Sequence, residues 1–313
     1  MLQGKILITG DFDIPSHYDL NNFVHIKSPK DNEDIIKNLH DIQHYIVGGP
    51  EYIDESILCH APMLKHIVVM GTGTNSFINI DAAKKREIRV ENTPGINADA
   101  VSEFALGTII LSIANSFHSR DGLLTGKWYQ KPHKSLSEIK LGVIGLGDIG
   151  TRLASKVRVI SPKSEIYYFS RTRKETFENE FNIEFRPLLD LAKECDIVVL
   201  CVSYNNASHY IINRLFFNSA KKGIMLFNFS NPLVVDPIAL SESLSSGSAE
   251  FAFFDGYYDE WVKNRGQEFD NYGLLKLGAD KFIATSHIAA LTTGVILKEI
   301  EEAITKVRAF YDS

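Results

Sequence analysis

The sequence predicts an α/β protein with two parallel-sheet lobes. Short β-type runs bounded by turn residues alternate with stretches long enough for a helix. The runs fall into two groups, one before about residue 95 and one after about residue 140. Between the groups, Thr93-Pro94-Gly95 is a strong break.

In chain order the expected strands are Lys5–Thr9, Tyr45–Val47, Ile67–Met70, Leu141–Ile144, Ile166–Phe169, Ile197–Val202, Ile224–Asn228, Phe251–Phe254 and Phe282–Ala284. Helical patterns separate many of them, among them Asp81–Arg86, Ile149–Ile160 and Asp236–Leu244. This alternation implies mostly parallel sheets with helices on both faces, a doubly wound arrangement. Asp99–Ala114 reads as a long amphipathic helix bridging the lobes, and the polar stretch Ser119–Ser137, with Gly126, Trp128 and Pro132, as an extended arm. The periodic stretch Leu291–Phe310 follows the last strand and is expected to return to the first lobe. One domain would then be residues 1–98 plus 289–313, with residues 99–288 inserted as the other.

The 313 residues suit two domains, each with its own core. Apolar runs such as Ile197–Val202 fall far short of the ~20 residues of a membrane helix. A net charge of −6 without a basic tract argues against nucleic acid or an anionic membrane as partner. Cys59, Cys195 and Cys201 form no CxxC pair, which fits a reducing compartment, and the N-terminal residues carry no signal-peptide pattern. The expectation is a soluble cytoplasmic protein. His40 and His44 are read as sharing a helix face at i, i+4, a spacing that can bind metal, but no third ligand is nearby and no metal is expected.

The sharpest motif is Gly145-Leu-Gly147-Asp-Ile-Gly150, directly after an apolar strand and before a helical pattern. Gly145 permits the tight turn, Gly147 lets backbone approach a pyrophosphate, and Gly150 allows the helix to pack on the strand. The amides of Asp148 and Ile149 would meet the phosphates at a helix N-terminus. This is the fingerprint of a Rossmann dinucleotide site. The next strand ends at Ser170-Arg171-Thr172-Arg173, where an NAD-selective site normally has Asp or Glu. Ser170 removes the repulsion of a 2′-phosphate, and Arg171 and Arg173 would supply donors to it, so NADP is expected over NAD.

The chain resembles the D-2-hydroxyacid dehydrogenase family over essentially its whole length. The resemblance rests on Gly71-Thr72-Gly73-Thr74, Asn92-Thr93-Pro94-Gly95, Val101-Ser102-Glu103, Gly126-Lys127-Trp128, the glycine fingerprint, Asn228, Asp236 and Ser286-His287-Ile288, in the family's order. Tyr168–Glu175 looks like the NADP-using glyoxylate reductase branch. The resemblance implies a Rossmann cofactor domain inserted into a flavodoxin-like substrate domain, hydride transfer to a small 2-oxo acid, and a homodimer joined through about Asp99–Ser137, with Trp128 and Tyr129 at the interface. It makes His287 the general acid and Glu260 its orienting partner, with Asp259 a one-residue alternative. Val202, Ser203, Ser208, Phe229 and Asp255 fall at cofactor positions, Asp255 at the nicotinamide carboxamide. The amides of Thr72 and Gly73 would hold the substrate carboxylate. The family's Arg is absent: after Asn228 stand Phe229-Ser230-Asn231-Pro232-Leu233, which leaves Asn231 a neutral stand-in. Lys263 and Arg265 are candidate replacements for the lost charge. The altered site also raises a second reading, a dinucleotide-binding sensor or regulatory protein without turnover.

Overall fold

The computed structural model describes residues 4–18, 20–258 and 270–311. The chain divides into two compact units, Met1–Asn97 with Leu291–Ser313, and Ala98–Tyr258 with Asp270–Ala290.

The first unit is built on five parallel strands, β1 (Lys5–Thr9), β2 (Phe23–Ile26), β3 (Ile42–Val47), β4 (His66–Val69) and β5 (Arg89–Asn92), in the order β2-β1-β3-β4-β5. That order is the flavodoxin-like doubly wound arrangement. Alternate residues of the central strands serve opposite faces. Ile6, Ile8, Ile46 and Val68 pack against Ile300, Ala303, Ile304 and Val307 of the C-terminal helix Thr293–Ala309. On the other face Leu7, Tyr45, Val47, Ile67 and Val69 cluster with apolar residues of the short helices, such as Ile35, Ile57, Ala82 and Ala83. Asn79 caps the helix Ile80–Lys85 by accepting the Ala82 amide, and Lys84 and Lys85 lie in its last turn, where cations suit the dipole.

The second unit has seven parallel strands: β6 (Lys140–Ile144), β7 (Glu165–Phe169), β8 (Glu184–Phe185), β9 (Ile197–Leu200), β10 (Ile224–Asn228), β11 (Ala249–Asp255) and β12 (Phe282–Thr285). Their order, β12-β11-β10-β9-β6-β7-β8, is that of a Rossmann sheet with one added edge strand. The helix Asp148–Ile160 buries Leu153, Ala154 and Val157, and the helix Ala98–Ile113 buries Val101, Ala105 and Ile109, in one core with Val143, Tyr168 and Phe227. No single helix among the described residues is long and apolar enough to cross a membrane.

Three strands lie outside the sequence expectation: β2, β5 and β8. All three are sheet edges, where burial is one-sided and the alternation signal fades. Arg-Val-Glu-Asn of β5 and the two residues of β8 show why. The expected arm is also corrected. The chain turns at Asn115 in the left-handed conformation and runs as a helix over Ser116–Leu124 before it becomes irregular. That helix buries no residue, so it left no apolar period in the sequence. His40 and His44 share no helix, because His40 lies in a turn and His44 in β3. No group of metal-ligating side chains occurs among the described residues.

Candidate active site

Strand ends on one rim of the second sheet carry most of the expected site. Gly145 leaves β6 with φ +97° and donates its amide to the Phe169 carbonyl at 2.8 Å. A Cβ on it would lie 2.5 Å from the Cys201 carbonyl oxygen, and one on Gly150 would lie 2.1 Å from the Gly145 carbonyl oxygen. The helix therefore starts directly on the turn, a packing closed to any other residue. Gly147 differs: a Cβ there would meet nothing within 4 Å. It is also the N-cap of Asp148–Ile160 and supplies no side-chain acceptor, so the amides of Asp148, Ile149 and Gly150 have no partner within the helix. Open space above three unpaired amides, where the sheet reverses its winding between β6 and β9, fits the pyrophosphate of a dinucleotide.

At the end of β7, the Ser170 hydroxyl donates to the Thr172 carbonyl at 2.5 Å. Arg173 donates two bonds to the Glu178 carboxylate, each 2.7 Å, and Tyr168 adds a third at 2.6 Å. The Lys174 amide in turn donates to the Tyr168 hydroxyl. These bonds hold the Glu178 carboxyl down at about 2 and raise the Arg173 guanidinium further above its ordinary value. Arg173 is thus tied to the following helix. Arg171 is exposed and has no side-chain partner among the described residues. Glu178, three residues beyond Glu175, is the acidic partner that the sequence reading missed.

The ends of β9 and β10 are laced together. The Val202 amide donates to Ser230 Oγ at 2.8 Å, and Ser208 Oγ accepts the Asn205 amide at 2.8 Å and lies 2.9 Å from the Ser203 carbonyl, to which it donates. The polar groups of Val202 and Ser208 expected at the cofactor are therefore spent within the protein. Phe229 is buried among Phe104 and Phe253 and belongs to the core. Asn231 Oδ1 accepts the Leu233 amide at 2.9 Å, which caps the 3₁₀ turn Pro232–Val234. This local bond is the ordinary habit of Asn before a turn, and it leaves Nδ2 as the group available for other work.

Asp255 ends β11 beside Thr285 of β12 and is buried. Its Oδ1 accepts the Thr285 hydroxyl at 2.7 Å and the Ile288 amide at 2.8 Å, while Oδ2 accepts the Ala289 amide at 2.9 Å. The carboxylate thus clamps the turn around His287, whose backbone is left-handed at φ +56° and whose side chain is exposed. Asp255, expected at the nicotinamide, is in this structure tied to the turn that carries His287. Pairing of Asp255 with Thr285 depends on strand register, which the sequence alone does not display. Asp259, Glu260, Lys263 and Arg265 lie outside the described residues.

In the first unit, Gly71-Thr72-Gly73 follows β4. Gly71 has φ +98° and donates its amide to the buried Thr93 hydroxyl at 2.8 Å. The Thr72 carbonyl accepts Asn92 Nδ2 at 2.8 Å, and the Thr72 hydroxyl accepts the Gly95 amide at 3.4 Å. The amides of Thr72 and Gly73 themselves have no partner among the described residues. They form an anion-receptive pair held from behind.

Known proteins agree with this architecture. Residues 106–289 match the family described as D-isomer specific 2-hydroxyacid dehydrogenase, NAD binding domain. A glyoxylate reductase of Pyrococcus horikoshii is 30% identical over 271 residues, covering 84% of this chain and 78% of that one. A hydroxypyruvate reductase of Thermotoga maritima is 28% identical over 264 residues, covering 84% and 82%. Among solved structures, a D-lactate dehydrogenase from Aquifex aeolicus complexed with NAD and lactic acid superposes with a TM-score of 0.84 at 23% identity, over 98% of this chain and 96% of that one. These findings define the class as nicotinamide-dinucleotide oxidoreductases. The chain belongs to the D-isomer specific 2-hydroxyacid dehydrogenase family.

Proposed function

We propose that the protein is an NADPH-dependent reductase of short 2-oxo acids such as glyoxylate or hydroxypyruvate. The observation that carries this reading is the carboxylate-clamped turn that presents His287 at the end of β12. A binding protein has no need of such a fixed acid. A dinucleotide would be held at the Gly145–Gly150 turn by the amides of Asp148 and Ile149, and when bound would supply the hydride that reduces the carbonyl carbon. His287 gives a proton to the carbonyl oxygen as its π electrons move there, which completes the 2-hydroxy acid. Glu260 would orient the imidazole, and the Thr72 and Gly73 amides would take the substrate carboxylate. The test is NADPH oxidation at high enzyme concentration against glyoxylate, hydroxypyruvate and other short 2-oxo acids. Turnover is expected, and its absence with every one of them overturns the reading.

A second reading is favoured by Asn231. Its carbonyl oxygen is spent on Leu233, and as an amide it brings no guanidinium to polarise a keto acid. On that reading the chain binds a dinucleotide without turning over. Tight NADPH binding with no turnover would be its signature.

Ser170 and the exposed Arg171 support NADP over NAD. Arg171→Ala is expected to weaken NADPH binding by about tenfold, one charge-assisted bond, while NADH binding stays the same. A wild-type protein that binds NADH more tightly than NADPH would overturn this preference.

A homodimer is proposed through the helices Ala98–Ile113 and Ser116–Leu124 and the segment after them. Leu124 is 69% exposed and Trp128 82% exposed, and Ile110, Leu111 and Leu123 add further exposed apolar surface. Light scattering at micromolar concentration is expected to give twice the chain mass, and a monomer would refute it. The cytoplasm suits the free cysteines Cys59, Cys195 and Cys201, and burial pushes the Cys195 thiol up to about 12, which keeps it unreactive.

A further inference from the structure

Beneath the Gly71–Gly73 loop lies a carboxyl group to which no role has yet been given. Glu299, on the helix Thr293–Ala309, is 6% exposed. Its Oε1 has no hydrogen-bond partner among the described residues. The Thr93 hydroxyl oxygen accepts the Gly71 amide at 2.8 Å, and the hydroxyl is near enough to the carboxyl to favour its ionised form. Thr93 is fully buried and is held in place by its own amide, which donates to the carbonyls of Val69 and Gly71. A Cβ on Gly71 would lie 4.0 Å from Glu299 Oε1, which shows how closely the carboxyl underlies the loop.

We infer that Glu299 is a positioning residue for substrate binding: from beneath the Gly71 turn, its protonation sets how strongly the Thr72 and Gly73 amides hold the substrate carboxylate. This rests on the reading that those amides take the carboxylate. Protonated, Glu299 leaves the loop's partial positive charge to the substrate. Ionised, it sets a full negative charge beneath the loop that carries the amides, in surroundings of low dielectric that screen it poorly.

The surrounding charges do not alter this sign. On the same helix, Lys298 and Glu301 point to solvent, and Lys306 pairs with Glu302 and Glu91 a turn or more away. On the strands beneath, His66 of β4 and Arg89 and Glu91 of β5 form their own cluster toward the opposite strand ends. Burial and the nearby Thr93 hydroxyl are the influences that act on Glu299, and burial prevails, pushing the carboxyl up to about 7. A bound carboxylate stabilises the protonated form further. By reciprocity, substrate then binds best below pH 7 and loses affinity as pH rises through it.

The test is the KM for glyoxylate of wild type and Glu299→Gln between pH 5.5 and 8.5. The contribution of His287 is common to both proteins and cancels in the ratio. The wild-type KM divided by the variant KM is expected to rise by about tenfold across this range, the value for a coupling of one pH unit. Gly73→Pro, which deletes one amide donor, is expected to raise KM at every pH. A raised KM in Gly73→Pro with parallel wild-type and Glu299→Gln profiles overturns the role of Glu299 alone. An unchanged KM in Gly73→Pro overturns the carboxylate site and the inference with it. Should Glu299→Gln fail to fold, the wild type decides: glycolate added at pH 7.5 is expected to bring up a protonated-carboxyl band in the infrared difference spectrum. No such band would refute the inference.

Discussion

Replacing His287 with alanine is expected to lower kcat for 2-oxo acid reduction by about 10²–10⁴, the usual weight of a positioned general acid, and to leave NADPH binding unchanged. The side chain stands on a turn whose two following amides are both tied to Asp255, so its removal takes away the acid without releasing the loop. The backbone adds a second readout. At φ +56° a side-chain-bearing residue is strained by about 1–2 kcal/mol relative to glycine. His287→Gly should therefore be more stable than His287→Ala by about 1 kcal/mol while being equally inactive. Stability that rises where activity is lost marks a residue held in place for chemistry. A loss of kcat smaller than about tenfold in His287→Ala would assign the proton to another group.

The parts of this site that were legible in the sequence are those that depend on local backbone geometry. Gly145 and Gly150 announce a turn and a helix start because no other residue fits there, and the strands around them announce themselves by burial on both faces. The illegible parts depend on register. Nothing near Asp255 in the chain says that it will accept amides thirty-odd residues later, since that follows from the pairing of β11 with β12. Arg173 was equally ambiguous. Its charge matched a 2′-phosphate, and the structure pairs it with Glu178 on the following helix. Edge strands were lost for a simpler reason: β5 reads Arg-Val-Glu-Asn because one side needs no burial, and a half-buried edge has no period to read. Glu299 sits on a helix rich in charge, where one more glutamate looks like solvated surface. Its burial emerges only when the helix docks with Ile300, Ala303 and Ile304 against the first sheet.

The glycine turn separates folding from binding within six residues. In Gly150→Ala, the added Cβ would sit 2.1 Å from the Gly145 carbonyl oxygen, a backbone atom that cannot swing aside as a side chain would. The helix Asp148–Ile160 must shift off β6, loosening Leu153, Ala154 and Val157 from the shared core. The expected cost is about 1–3 kcal/mol of stability, read as a lower midpoint in denaturant or heat, together with loss of dinucleotide binding. Gly147→Ala should behave in the opposite way. Its φ of −91° is open to alanine, and its Cβ would meet no protein atom within 4 Å. Stability should therefore be unchanged. The methyl group would project into the space above the unpaired amides of Asp148 and Ile149, so dinucleotide affinity should fall by tenfold or more, about 1.4 kcal/mol. Titration of NADPH against both variants, beside their thermal midpoints, distinguishes a turn that serves only the fold from one that receives a pyrophosphate. If Gly147→Ala bound NADPH as the wild type does, the open face above these amides would not be where the phosphates lie, and the cofactor assignment built on it would fail.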